Sequence, residues 1–326
     1  MKNKYSNKKA SSTINKTDDQ ESESRDSKKS FFQILAMVRR SQRITVFDVA
    51  IMGIFLALQI ITMWIAKYTF LKIFPIEIEF IFYIFYGVIF GFWKGPLLSI
   101  LGDSLVLAIT GSFATWFWLY AIIPPLISLF SAIFSYLFTY KKDEKSKFKN
   151  LLDILRWTFS YLIFLATFFI IVAVYLQKLK PEDGSIKISR DLTLSKTFVI
   201  SALTFYFIFG AIVFVILLTL YLIKRDQKYV NYLFIFTIVS VVVMIFRWIM
   251  GPVAWINYYN IFYTNRKNFR LKTYGSDFAV TAIPMVIKSI VSIPLYIIVL
   301  TPIYNVINIL KKQYLTKHSS KKHRYI

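Results

Sequence analysis

The sequence predicts an all-α polytopic membrane protein with about eight transmembrane helices. Two observations carry that prediction. Of the 326 residues, 56% are hydrophobic and 18% aromatic, with a mean hydropathy of +0.55, and the apolar residues fall in runs approaching the roughly 20 residues a bilayer core requires. The charges collect in the tails and between those runs, where the cytoplasmic preference of Lys and Arg places them. The formal net charge of +23, from 40 Lys and Arg against 17 Asp and Glu, would point to nucleic acid in a soluble chain. The positive-inside effect accounts for it here, and no nucleic-acid partner is expected.

Residues 1–30 carry eight basic and five acidic side chains and almost no aliphatic ones. So little apolar surface cannot offset the entropy of ordering, and a disordered cytoplasmic tail is expected. The stretch is too long and too acidic for the leading region of a signal peptide. In 31–43, Phe31, Phe32, Ile34, Leu35 and Val38 precede Arg39, Arg40 and Arg43, which fits a short interfacial helix. The transmembrane domain, 44–310, divides into runs at 44–66, 73–93, 95–110, 113–140, 151–177, 197–223, 230–258 and 278–310. The run 95–110 is the shortest, at about 16 residues, and requires local thinning or tilt to cross. A basic cytoplasmic tail, 311–326, follows.

Loop charge gives an independent orientation. With the N-terminus inside, the inner side receives Lys94, the run KKDEKSKFK at 141–149, KRDQK at 224–228 and the C-terminal basic segment. The outer side receives Lys67, Lys72, the mixed segment 178–196, and the loop 259–277 with Arg266, Lys267, Arg270 and Lys272. The bias predicts a multi-pass protein of the cell membrane with both termini cytoplasmic.

Composition also limits the chemistry. Cys is absent, and the two histidines, His318 and His323, lie in the basic tail. Disulfides, thiolate sites, His-based triads and zinc or haem ligation in the membrane part are therefore excluded. None of the ten glycines belongs to a Gly-x-x-x-x-Gly-Lys-Ser/Thr phosphate loop, so no intrinsic ATPase is expected. The expectation is a protein that is not an enzyme, with no catalytic residue, metal or cofactor. Any active transport must draw on an ion gradient or a partner.

Three ionisable side chains fall well inside apolar runs: Asp103, Arg247 and Lys288. Each costs about 2.5–3.5 kcal/mol or more to insert unpaired, so each should face a partner or a wet cavity. Arg247 and Lys288 are read as ligand-binding residues, and Asp103 as an internal counter-ion to one of them. An internal salt bridge alone is the competing explanation. Glu77 and Glu79, two residues apart, would point to different helix faces, which argues against a paired acid and base. Trp116, Trp118 and Tyr120 fit an interfacial aromatic belt, and the tryptophans are candidates to stack on a ligand. Ala50, Gly53 and Ala57 leave a groove of small side chains on the first helix, suited to close helix packing within the bundle or against a partner. Gly87, Gly91 and Gly95, in the stretch YGVIFGFWKGPLLSILGD at 86–103, mark a tight turn between two packed segments.

Three of these features together resemble the substrate-binding S component of energy-coupling factor (ECF) vitamin transporters. They are the small-residue helix at 48–57, the stretch GVIFGFWKGPLLSILGDSL at 87–105, and the closing segment IPMVIKSIVSIPLYIIVLTPI at 283–303. The resemblance covers about 44–140 and 230–310. Ile54 stands where a strict Ala-x-x-x-Ala counted from Ala50 needs a second Ala, and the family usually has six spans. Removing a hairpin at 151–223 leaves six and preserves orientation, so that hairpin is read as an insertion.

The resemblance implies a subunit that captures a vitamin from outside. It then docks through Ala50, Gly53 and Ala57 on an ECF module, comprising a transmembrane coupling protein and two ATP-binding subunits. Folate is the favoured vitamin, because Arg247 and Lys288 would suit its carboxylates; riboflavin is next. The alternative is a self-sufficient gradient-driven carrier, which inverted repeats or interrupted helices in matching positions would favour. Neither is evident in the sequence.

Overall fold

The structure, a computed structural model, describes residues 46–68, 77–139, 149–178, 185–187, 193–264 and 269–322. The tail at 1–30 and the interfacial helix expected at 31–43 lie outside the described residues. By contacts the chain divides after Ala50, and of that first unit only 46–50 are described, as helix.

Among the described residues the secondary structure is helical apart from one small ribbon, and seven helices are long and apolar enough to cross a membrane. It is a multi-pass membrane protein. Helix α1 spans Val46–Tyr68. Helix α2, Glu79–Ile109, joins the two runs expected at 73–93 and 95–110, and is broken at Gly91, where φ is 78° and ψ −161°. Only glycine takes that conformation without steric cost. The arms on either side fold back on each other. The Tyr83 hydroxyl donates to Asp103 Oδ1 at 2.9 Å, although a straight helix would hold residues 20 apart at about 30 Å. The fold-back was expected, but its turn lies at Gly91 rather than at Lys94. Its first arm, 79–90, is the short one, at about 18 Å, not the second.

The arms close tightly because Gly95 has no side chain: a Cβ there would fall 2.7 Å from the Tyr86 carbonyl oxygen. At Gly87 a Cβ would overlap the Ser128 carbonyl of the next helix. That helix, α3 (Trp118–Thr139), turns the buried Ser128, Ser131 and Ser135 toward the glycines. Such small-on-small packing holds helices together where lipid removes the hydrophobic driving force. Gln59 of α1 is fully buried and accepts the Tyr86 hydroxyl at 2.6 Å.

Helices α4 (Lys149–Lys178) and α5 (Lys196–Lys224) form the expected hairpin. Their link contains an antiparallel ribbon, β1 (Ser185–Lys187) with β2 (Thr193–Ser195), pairing Ile186 with Leu194; the sequence reading did not anticipate it. A tight turn with Arg225 at φ 48° follows, and Asp226 caps α6 by accepting from Lys228 N at 3.1 Å.

Helix α6 (Gln227–Val242), a π-helical stretch (Val243–Met250) and α7 (Gly251–Phe262) make one central rod. Pro252 has no N–H to offer the Trp248 carbonyl one helical turn back. Tyr175 of α4 donates its hydroxyl to that carbonyl at 3.3 Å, and Tyr206 of α5 packs edge-on against the Trp248 ring at 5.4 Å. Tyr206 also donates to Ser240 Oγ at 3.0 Å. The hairpin thus buttresses the irregular middle of the rod. Helix α8, Ser276–Lys322, carries Pro284, Pro294 and Pro302 inside it and continues through the segment expected to be a separate tail from 311.

Candidate functional site

Gly111, at φ 67°, turns the chain at the bundle end opposite Gly91. Lys67 pins α1 to this turn, donating to the Thr110 carbonyl and, at 3.2 Å, to Ser112 Oγ. A single 3₁₀ turn, Phe113–Thr115, then delivers Trp116 to a cavity of about 450 Å³ bounded by α2, α3, the rod and α8.

The cavity lining combines aromatic residues, among them Trp116, Tyr120, Trp255 and Tyr258, with the charged side chains of Glu77, Glu79, Asp103 and Arg247. Phe117 organises the aromatic side, meeting Tyr258 edge-on at 5.9 Å and Tyr120 at 6.2 Å. The loop after α7 holds its shape through a reciprocal pair: Lys272 N donates to Asn260 Oδ1 at 2.8 Å and Asn260 Nδ2 to the Lys272 carbonyl at 2.9 Å. This sets the Lys272 ammonium 3.9 Å from the Trp255 ring centre and 4.6 Å from that of Tyr259. Burial there pushes Lys272 below its usual lysine value, with Asp277 acting in the opposite sense.

Arg247 projects from the π-helical stretch, where helical register shifts and functional groups are often found. It is 2% exposed, and its Nε lies 3.5 Å from Glu77 Oε2 without a hydrogen bond of its own. Its Nη1 makes long bonds to Ser292 Oγ at 3.4 Å and the Tyr296 hydroxyl at 3.5 Å. Tyr296 in turn donates to the Glu77 backbone carbonyl at 2.7 Å. Glu79 Oε2 stands 3.5 Å from the Tyr83 hydroxyl that binds Asp103. Among the described residues, no three His, Cys, Asp or Glu side chains are arranged to hold a metal ion.

Of the residues singled out in the sequence, Arg247, Trp116 and Asp103 meet in this cavity. Trp118 does not; it is exposed and outside the lining. Lys288 is exposed on α8, likewise outside the lining, and acts electrostatically on Glu77. Asp103 is not the counter-ion of Arg247 or Lys288: Tyr83 holds it, and Glu77 takes the Arg247 partnership. Ala50, Gly53 and Ala57 all lie exposed on α1, and a Cβ at Gly53 would meet nothing within 4 Å, so the groove is not filled by bundle packing at Gly53.

Glu77, Glu79 and Tyr83 were missed as site residues. One signal was present: Glu79 and Asp103 are each twelve residues from Gly91, so a fold-back centred there sets them opposite each other. Comparison with known proteins returned no matching family model, no matching curated protein and no matching solved structure.

Proposed function

We propose that this chain is the membrane-embedded substrate-binding subunit of an ECF-type importer, taking a vitamin-sized molecule into the cavity from outside the cell. The observation that carries the reading is the cavity itself. Its volume of about 450 Å³ falls in the roughly 300–1,000 Å³ range of small-molecule sites, and few polar groups converge on a mainly apolar lining rich in aromatic residues. With both termini cytoplasmic, as loop charge favours, the Gly111 end and its cavity face outward. The exposed face of α1 at Ala50, Gly53 and Ala57 supports docking on a partner module, which would supply the ATPases.

The vitamin preference shifts with the electrostatics. Arg247 lines the cavity already paired with Glu77, and Lys288 stands outside the lining, so neither offers a free cation to a folate carboxylate. Reconstitution tests the function. Liposomes holding the purified chain alone should bind substrate without accumulating it, and co-reconstitution with an ECF module and ATP should start uptake. Accumulation by the chain alone under an ion gradient would instead establish a self-sufficient carrier.

A further inference from the structure

We infer that the cavity takes an organic cation with a compact or flat apolar body, its positive charge held at Glu79 and Asp103 and its body against the aromatic residues of the lining. This rests on reading the cavity as a ligand site and adds the chemical class of the ligand.

The first support is the distribution of charge. Three carboxyl groups, those of Glu77, Glu79 and Asp103, line the cavity against one guanidinium. Arg247 sits beside Glu77, its Nε 3.5 Å from Glu77 Oε2. Glu79 Oε2 and Asp103 Oδ1 instead lie 3.5 Å and 2.9 Å from one shared Tyr83 hydroxyl. Among the described residues, no ammonium or guanidinium is paired with either. Two carboxyls brought together by the Gly91 turn, in an apolar bundle, are stabilised by a cation arriving between them.

A second, independent support comes from the aromatic residues of the lining. Trp255 lines the cavity, and the chain's own Lys272 ammonium lies 3.9 Å from its ring centre. The face of an indole attracts cations through its quadrupole, and more strongly where water is thinned out. Trp116, Tyr120 and Tyr258 extend that surface. Aromatic faces are the surface on which quaternary and protonated amines are recognised, and carboxyl groups in the same lining add charge complementarity, whereas a carboxylate-bearing ligand would meet repulsion at Glu79 and Asp103.

The test uses the full-length chain purified in detergent and calorimetric titration with three probes of similar size: benzyltrimethylammonium, benzyl alcohol and benzoate. The cation should bind at least tenfold more tightly than the neutral alcohol, and benzoate most weakly. Glu79→Gln and Asp103→Asn should each weaken the cation at least tenfold while leaving benzyl alcohol unchanged, which also reports that the variants are folded. The wild-type ranking needs no variant and stands by itself. Benzoate binding as tightly as the cation would overturn the assignment of class and leave the cavity as a ligand site. Cation binding unaffected by both substitutions would overturn the assignment to Glu79 and Asp103. No binding of any probe would overturn both this inference and the ligand-site reading.

Discussion

Two helices of nearly equal hydropathy meet opposite fates in this bundle. In the most apolar window of α1, 6% of the residues are buried; in that of the central rod, 228–262, the share is 83%. Hydropathy records only that a segment can enter the bilayer. It does not say whether lipid or protein lies alongside, because lipid tails are as apolar as a leucine-rich helix face. What separates the two is detail. The rod carries buried Thr237, Ser240, Arg247 and Trp248; Tyr175 of α4 and Tyr206 of α5 meet Trp248 and Ser240, and Ser292 and Tyr296 of α8 with Glu77 surround Arg247. Helix α1 carries one fully buried polar side chain, Gln59, and otherwise presents Ile54, Leu58, Ile61 and Trp64 outward. The rod is where the bundle holds itself together, and α1 is where it has surface to spare.

That contrast can be broken by substitution. The largest effect is expected for Trp248→Ala in the rod, where loss of a fully buried indole should cost about 3–5 kcal/mol of stability. Trp64→Ala on α1, a residue 52% exposed, should stay within about 0.5 kcal/mol. Thermal unfolding in one detergent compares the pair, and equal losses would refute the division. Glycines give a smaller version of the same contrast. Gly87→Leu drives a side chain into the Ser128 backbone and should cost about 1–3 kcal/mol; Gly53→Leu, with open space around it, should leave the melting temperature unchanged. The smallest effect sharpens the account of the hairpin. Tyr175→Phe removes one hydroxyl from the Trp248 carbonyl and should cost about 1 kcal/mol, while the same change at the exposed Tyr161 should cost nothing measurable.

The sequence disclosed some of this and concealed the rest for identifiable reasons. Span positions were legible because length and apolarity suffice for them, and the fold-back in α2 was legible from Gly87, Gly91, Gly95 and Lys94. Its turn was misplaced by three residues because Lys94 was taken as the turn's tip. The ribbon at 185–195 was not legible: each strand has three residues, too few for an alternating pattern to register. The Glu77 and Arg247 pairing was hidden because 170 residues separate them and Glu77 lies just before the helix rather than on it. No periodicity marks the π-helical stretch, and Pro252 is its one sequence trace. The outward face of α1 was legible only as a stripe of small residues, which internal packing would have explained equally well.

On the proposed function, capture and transport use different parts of the molecule: the cavity between α2, α3, the rod and α8 for one, the exposed face of α1 for the other. The double variant Gly53→Leu with Ala57→Leu tests it most directly, by measuring ligand binding to the purified chain and uptake by cells in parallel. Binding at wild-type strength with uptake abolished is the predicted result; normal uptake by the double variant would contradict it.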